Sequence, residues 1–422
     1  MDADPTRTKE QALADFAEYI NPMKVRTMKA AKLDIIEQKR DGASVWDITG
    51  KKYLDCQTGS GIMNVGRHNP EIVAALKEAL DTYDMGVFLL CSKQKADLAK
   101  KLAEISPGDL KCTIFGTGGG EANDAAIKIA RGYTMKTEII STERAYHGHT
   151  GFALSAIGRA AYKEPFEPLM PGFKTVPFGD IEAMRNAVTD DTAAILLEPI
   201  QGEGGIHIPP DDYLPEVRKL CDEREVLLIL DEIQTGMART GKMFASEHWG
   251  VVPDIMTVAK SLGGGVYPIS ATIFKEEIQD FFVPHPFIHL STFGGSDLGC
   301  LVGLAVIEYI QKNDLAGHAE KMGKRFRAGF DRLLKDYPEL LLEVRQKGLM
   351  MGLQYTNESI GPRMTRKLAD RGVIAVYTGN DPSICRFMPP LVITPDEVDL
   401  VLGALEESMK ELSSEAGLGK ND

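Results

Sequence analysis

Two short apolar runs in this chain end abruptly in residues that can do chemistry. Leu227-Leu228-Ile229-Leu230 runs into Asp231, and Ile255-Met256-Thr257-Val258-Ala259 runs into Lys260, followed by Gly263-Gly264-Gly265. In open α/β sheets ligands bind beyond the carboxyl ends of strands, where both residues would stand. A lysine there can form an imine with an aldehyde once its surroundings lower its pKa. The glycines allow close backbone approach. Taken alone, Asp231 reads rather as a helix cap or surface acid, and Lys260 as a solvated lysine before a flexible turn. A third element, Gly116-Thr117-Gly118-Gly119-Gly120-Glu121, follows an apolar run and opens a helical pattern on Ala122, Ala125, Ala126, Ile129 and Ala130. Such a loop offers free N–H groups and the positive end of a helix dipole to a phosphate. It matches neither the P-loop nor the complete dinucleotide fingerprint, which disfavours ATP and NAD. A glycine-rich turn with no ligand is the plain alternative.

Weaker signals cluster around these three. Glu198-Pro199-Ile200-Gln201-Gly202-Glu203 follows the apolar run Ala193–Leu197, and Tyr146-His147-Gly148-His149 follows Glu138–Ser141. An aromatic ring at Tyr146 could stack on a flat cofactor, or simply belong to the core. Thr292, in Ser291-Thr292-Phe293-Gly294-Gly295, could add a hydroxyl to a phosphate. Arg386 could clamp a carboxylate through two nitrogens, or form a surface ion pair.

The elements that must position these residues read as α/β. Strands are expected at Lys111–Phe115, Glu138–Ser141, Ala193–Leu197, Val226–Leu230, Ile255–Val258 and Ile269–Ile273, with helical stretches such as Tyr213–Arg224 between most of them. Strands this apolar are buried on both faces, so the sheet is expected to be mostly parallel. Before it, a peripheral helix over residues 1–20 leads into a β-meander: Leu33–Glu37, an Asp41-Gly42 turn, Ala43–Trp46, a Thr49-Gly50 turn, and Lys52–Leu54. After about residue 310, helical patterns dominate. Short strands follow near Gly348–Gln354, Val373–Val376 and Ile384–Met388, then a final helix Pro395–Leu412. The expected division is an N-terminal segment 1–69 and a C-terminal segment 311–422 that together form a small α+β domain, with a large domain over 70–310 between them.

Composition sets bounds. The chain has 422 residues, 43% hydrophobic and 26% charged, ordinary for a globular protein. A net charge of −13 makes a broad nucleic-acid surface a poor reading. Six scattered cysteines form no C-x-x-C pair, so reduced thiols in a cytoplasmic protein are expected, with neither a metal site nor a disulfide framework. Residues 1–19 read as neither signal peptide nor membrane span, and no later run reaches the roughly 20 apolar residues a span needs.

Together the motifs resemble the class III (ω-) aminotransferases, from about Val25 to the final helix. The resemblance rests on D-E-I-Q-T-G at Asp231–Gly236, R-T-G at Arg239–Gly241, Lys260, T-F-G-G at Thr292–Gly295, and R-F-x-P-P-L at Arg386–Leu391. Within that family the stretches Pro171–Arg185 and Gly241–Ala245 are most similar to putrescine (diamine) aminotransferases. The resemblance implies a fold-type I enzyme that uses pyridoxal 5′-phosphate (PLP), working as a homodimer or a dimer of dimers. It implies Lys260 as the Schiff-base lysine and Asp231 as partner of the cofactor's ring nitrogen. Gln234 would face the phenolic oxygen, Tyr146 the ring, and Gly119 and Gly120 the phosphate, with Thr292 reaching across from a neighbouring subunit. Arg386 would take the substrate carboxylate, and Glu203 would pair with it or move aside, so that an ω-amine or ω-amino acid and then a 2-oxo acid use one pocket in turn.

Four positions depart from the family pattern: Gly118 for a usual Ser, Ala238 for a frequent Gly, and Ser296-Asp297 for Asn-Pro. Competing readings are a class III racemase, a decarboxylating transaminase, and a non-catalytic PLP-binding homologue. Ser60 in the Gly59-Ser60-Gly61 loop and Glu203 argue against decarboxylation. The presence of both Lys260 and Asp231 argues against the non-catalytic homologue.

Overall fold

The computed structural model describes residues 8–415. At its centre is a seven-stranded sheet. Its order across the sheet is Leu110–Gly116, Ser270–Lys275, Ile255–Val258, Leu227–Asp231, Thr192–Leu197, Glu138–Thr142 and Phe173–Val176. The strands from Ile255–Val258 to Phe173–Val176 pair in parallel. Ser270–Lys275 runs antiparallel to both its neighbours. The sheet is therefore mostly parallel, as its apolar strands imply.

Alternate side chains serve two layers. Ile139, Ala194, Leu196 and Ile229 pack with Ala126, Ile129 and Ala130 of the helix Gly119–Thr134. Ile140, Ile195, Leu197, Leu228 and Leu230 pack with Leu214, Val217 and Leu220 of the helix Tyr213–Arg224. Each such Leu or Ile taken wholly out of water contributes roughly 1.5–3 kcal/mol. Both faces are covered, so the surfaces left for chemistry are the ends of the strands.

Two four-stranded sheets flank this body. One pairs the meander Glu37–Asp41, Ser44–Asp47 and Lys52–Asp55 with Val373–Ile374. The other holds Leu341–Lys347, Met350–Tyr355, Ile384–Phe387 and Val376–Tyr377. Phe326, Phe330 and Leu333 of the helix Leu315–Asp336 share a core with Leu405 and Met409 of the helix Pro395–Glu415. Among the described residues no helix is long and apolar enough to cross a membrane.

Several local expectations shift. The N-terminal helix is Lys9–Tyr19, closed by a Thr8–Gln11 capping box, and residues 1–7 lie outside the described residues. The first meander strand is Glu37–Asp41, not Leu33–Glu37, because Asp41 pairs with Ser44 across a two-residue turn. That strand is polar and pairs on one side only, so its composition carries little strand signal. The stretch Val373–Val376 divides between the two flanking sheets. Phe173–Val176 and Leu341–Lys347, both at sheet edges, were not anticipated. Edge strands are half-solvated and lose the continuous apolar run that marks central ones.

Candidate active site

Four parallel strands and one helix start converge on a cavity of about 160 Å³. Tyr146, His147 and Gly148 come after Glu138–Thr142, and Glu198 ends Thr192–Leu197. Asp231 closes Leu227–Asp231 and carries Ile233 and Gln234 behind it, while Lys260 follows Ile255–Val258. Gly119 and Gly120 open the helix that follows Leu110–Gly116.

Asp231 is buried and held from three sides. Its Oδ2 accepts from Asn123 Nδ2 at 2.8 Å and lies 2.8 Å from His147 Nδ1. Its Oδ1 accepts from the Ile233 N–H at 3.1 Å. Asn123 also donates to the His147 carbonyl and accepts from the Thr257 hydroxyl, each at 2.8 Å. A carboxylate opposite Nδ1 calls for the tautomer with its proton there.

Lys260 sits on the turn after its strand with φ of 43°, a left-handed conformation that is uncommon outside glycine. Burial pulls its ammonium pKa below the ordinary value, while Glu203 and Asp231 push it back up. Desolvation works the other way on Glu198: burial, with Asp231 nearby, raises its carboxyl to about 7 against the opposing pull of His147. Glu198 nevertheless accepts backbone N–H bonds from Tyr146 and Gly202, both at 2.9 Å.

The glycine loop is narrow. A Cβ on Gly119 would lie 2.9 Å from Ile233 Cδ1, and one on Gly120 would lie 2.9 Å from the Thr150 hydroxyl. Gly148, at φ of 120°, brings its backbone against Gly120, where a Cβ would meet the Gly120 Cα at 2.6 Å. Gly118 caps the helix in extended conformation without a side-chain bond, and the space around it is open. At the cavity's edge Arg386 Nη1 donates to Glu203 Oε1 at 2.5 Å, and Nη2 to the Ser60 hydroxyl at 2.8 Å. Burial alone would raise Glu203, but Arg386, Lys260 and Gln234 together hold its carboxyl below the usual range.

Of the residues singled out in the sequence, Gly119, Gly120, Tyr146, Asp231, Gln234 and Lys260 line one cavity. Glu203 and Arg386 meet beside it. Thr292 does not join them: it is exposed, outside the cavity lining. Ala238 takes φ of 70°, which explains why a glycine suits that position. Asp297 begins the helix Asp297–Lys312 and accepts from the Ser92 hydroxyl. Arg239 is fully buried and donates to the Leu349 and Pro389 carbonyls at 3.0 and 2.7 Å, tying R-T-G to the Arg386 segment.

Asn123, His147, Glu198 and Ser60 were not singled out as site residues. Their only sequence signal is that they lie inside the same short motifs.

These residues fit PLP. A helix N-terminus with room for an oxyanion, an enclosed carboxylate, a lysine of lowered pKa and an aromatic side chain face one space. Gln234 Oε1 is buried there without a protein partner. Among the described residues no group of His, Cys, Asp and Glu forms a metal site.

The class-III aminotransferase family matches residues 26–409. An uncharacterized aminotransferase of Archaeoglobus fulgidus is 46% identical over 96% of this chain and 95% of its own. A putrescine aminotransferase of Pectobacterium atrosepticum is 40% identical over 97% and 91%. The ornithine aminotransferase of Toxoplasma gondii, solved with PLP at partial occupancy in its active site, superposes with a TM-score of 0.90 at 30% identity, covering 98% of this chain and 97% of that one. The chain belongs to the class III aminotransferases. It is a fold-type I, PLP-dependent enzyme that uses an amine donor and a 2-oxo acid acceptor.

Proposed function

We propose that this aminotransferase takes its amino group from an ω-amine of the putrescine type, or an ω-amino acid, and passes it to 2-oxoglutarate or pyruvate. The two half-reactions use one site in turn. The observation that carries this reading is the Glu203–Arg386 pair beside Lys260. A paired Arg386 presents no free positive charge, so an amine end meets Glu203. Once Glu203 moves aside, Arg386 offers two nitrogens to a carboxylate. The similarity to a putrescine aminotransferase supports the donor class.

Bound PLP supplies an aldehyde and an electron-accepting ring. The remaining work belongs to the chain. Lys260 Nζ would hold the cofactor and, once free, would carry the proton taken from the substrate carbon. Its lowered pKa leaves a larger neutral fraction able to accept that proton. Asp231 would keep a proton on the ring nitrogen, and Asn123 and His147 hold its carboxylate in place. The N–H groups at Gly119 and Gly120 bind the phosphate. Tyr146 would lie against the ring, and Gln234 would face the phenolic oxygen.

We further propose a homodimer, or a dimer of dimers, in which Thr292 of one subunit completes the phosphate site of the other. Segments 1–69 and 311–422 act as one small domain on the 70–310 body. A reducing, cytoplasmic compartment suits six free cysteines, four of them buried.

The test is spectroscopic. The holoenzyme is given putrescine without an acceptor. Loss of the visible cofactor band, and its return on adding 2-oxoglutarate, is the expected result. A visible band that ignores putrescine but responds to amino acids removes this donor and points to racemisation or another amine. No band even after adding PLP would overturn the cofactor assignment.

A further inference from the structure

Glu203 sits on a hairpin, Gln201–His207, closed by backbone bonds of 3.0 and 3.1 Å between Gln201 and His207. The hairpin lies across the C-terminal sheet, on one rung of three adjacent strands. Arg345 is opposite Gly352, and Gly352 is opposite Arg386. Directly opposed residues place their side chains on the same face. Two guanidinium groups therefore flank a position with no side chain, and the hairpin fits that profile.

Arg386 holds Glu203 at 2.5 Å. Arg345 Nη1 donates to the Gly205 carbonyl at 3.0 Å and lies 3.2 Å from His207 Nδ1. Between them, fully buried Ile206 fills the notch, so that a Cβ on Gly352 would come within 3.0 Å of the Ile206 Cβ. Ile206 has φ of 52°, a strained conformation for a β-branched residue, and it persists only where the surroundings impose it. Arg345 is prepared for this contact from its own sheet, through Glu343 at 2.8 Å and through Gln354. It does not line the cavity around Lys260.

We propose that Arg345, Gly352 and His207 are positioning residues that hold this hairpin with Glu203 against Arg386, and so set the balance between amine and carboxylate substrates. The inference rests on Glu203 and Arg386 acting as the switch proposed above. The Arg345 and Ile206 contacts exist only with the hairpin seated. They stabilise the state that accepts an amine and oppose the state that exposes Arg386. A ligand that needs the less populated state binds more weakly by that state's population.

The experiment separates the two half-reactions in single turnovers of the holoenzyme, with putrescine alone or L-glutamate alone. Arg345→Ala is expected to weaken putrescine by about tenfold and to tighten glutamate by about threefold, a shift of opposite signs. Gly352→Ala, whose Cβ would crowd the Ile206 Cβ at 3.0 Å, should shift both in the same directions. Should either variant fail to fold, His207→Gln reads the same ratio.

A second readout needs no catalysis. In the cofactor-free protein, Arg345→Ala should speed amide exchange in residues 202–207 and leave the seven-stranded sheet unchanged. Equal losses in both half-reactions, or an unchanged ratio with unchanged exchange, overturn the proposal. A wild-type enzyme inert to putrescine but reactive with glutamate refutes the donor class instead, and the exchange comparison then decides the positioning role.

Discussion

Lys260 and Asp231 stand at the ends of neighbouring strands, and each is set by what surrounds it. Enclosure lowers the lysine's pKa, and the nearby carboxylates stop it falling further. In the proposed mechanism, replacing Lys260 with Ala removes both the cofactor's anchor and the proton carrier. Turnover should fall by at least roughly 10²–10⁴-fold, read by steady-state assay alongside loss of the visible band. His207 offers a pH test. Burial, with Arg345 and Arg144 on either side, lowers its pKa from 6.5 to about 4. The folded state therefore binds fewer protons than the unfolded chain between these values. The stability this contributes is present above pH 6.5 and is lost as pH falls toward 4. His207→Gln should flatten that part of the acid-unfolding curve, measured by denaturant titration at a series of pH values. An unchanged slope would show that His207 is not coupled to folding in this way.

At the scale of elements, the decisive one is the helix Gly119–Thr134, whose first turn meets the cavity. Its cap, Gly118, is extended, with open space where a side chain would go. Ser in place of Gly at an N-cap gains a few tenths of a kcal/mol and adds a hydroxyl next to the proposed phosphate position. Gly118→Ser should raise the melting temperature slightly and slow PLP loss on dialysis. Gly120→Ala has the opposite sign, because its Cβ would meet the Thr150 hydroxyl at 2.9 Å. It should weaken PLP binding with little change in the melting temperature of the cofactor-free protein. Equal PLP affinity in both variants would place the phosphate elsewhere.

For the whole molecule, the feature that stands out is a set of exposed apolar side chains. Val87, Leu89 and Leu90 are 56%, 58% and 67% exposed, and Phe287 and Phe293 are 64% and 58% exposed. The two segments adjoin, since the Asp297 N–H bonds the Met85 carbonyl at 3.2 Å. Patches of this kind mark interaction surfaces, and Thr292 lies within it. For the proposed homodimer, Leu89→Asp combined with Leu90→Asp should halve the mass seen by light scattering and lower PLP occupancy with it. A mass equal to the wild type would remove this surface from the subunit interface.

Chemistry at strand ends was legible in the sequence because an unpaired charge is costly along a buried strand. Where Leu227–Leu230 meets Asp231, or Val258 and Ala259 give way to Lys260, the apolar run must have reached a surface or a site. The central strands and the helix Tyr213–Arg224 were readable for the same reason, since periodic burial writes itself into residue type. The partnerships were not. Asn123 and His147 reach Asp231 across 108 and 84 residues of chain, and Glu203 reaches Arg386 across 183. No local pattern encodes contacts of that span. The rung Arg345–Gly352–Arg386 exists only once three strands take their register. The sequence by itself determined which residue types could meet a cofactor. Tertiary structure decided which of them touch, because sheet pairing and burial set distances and charges that one strand alone does not possess.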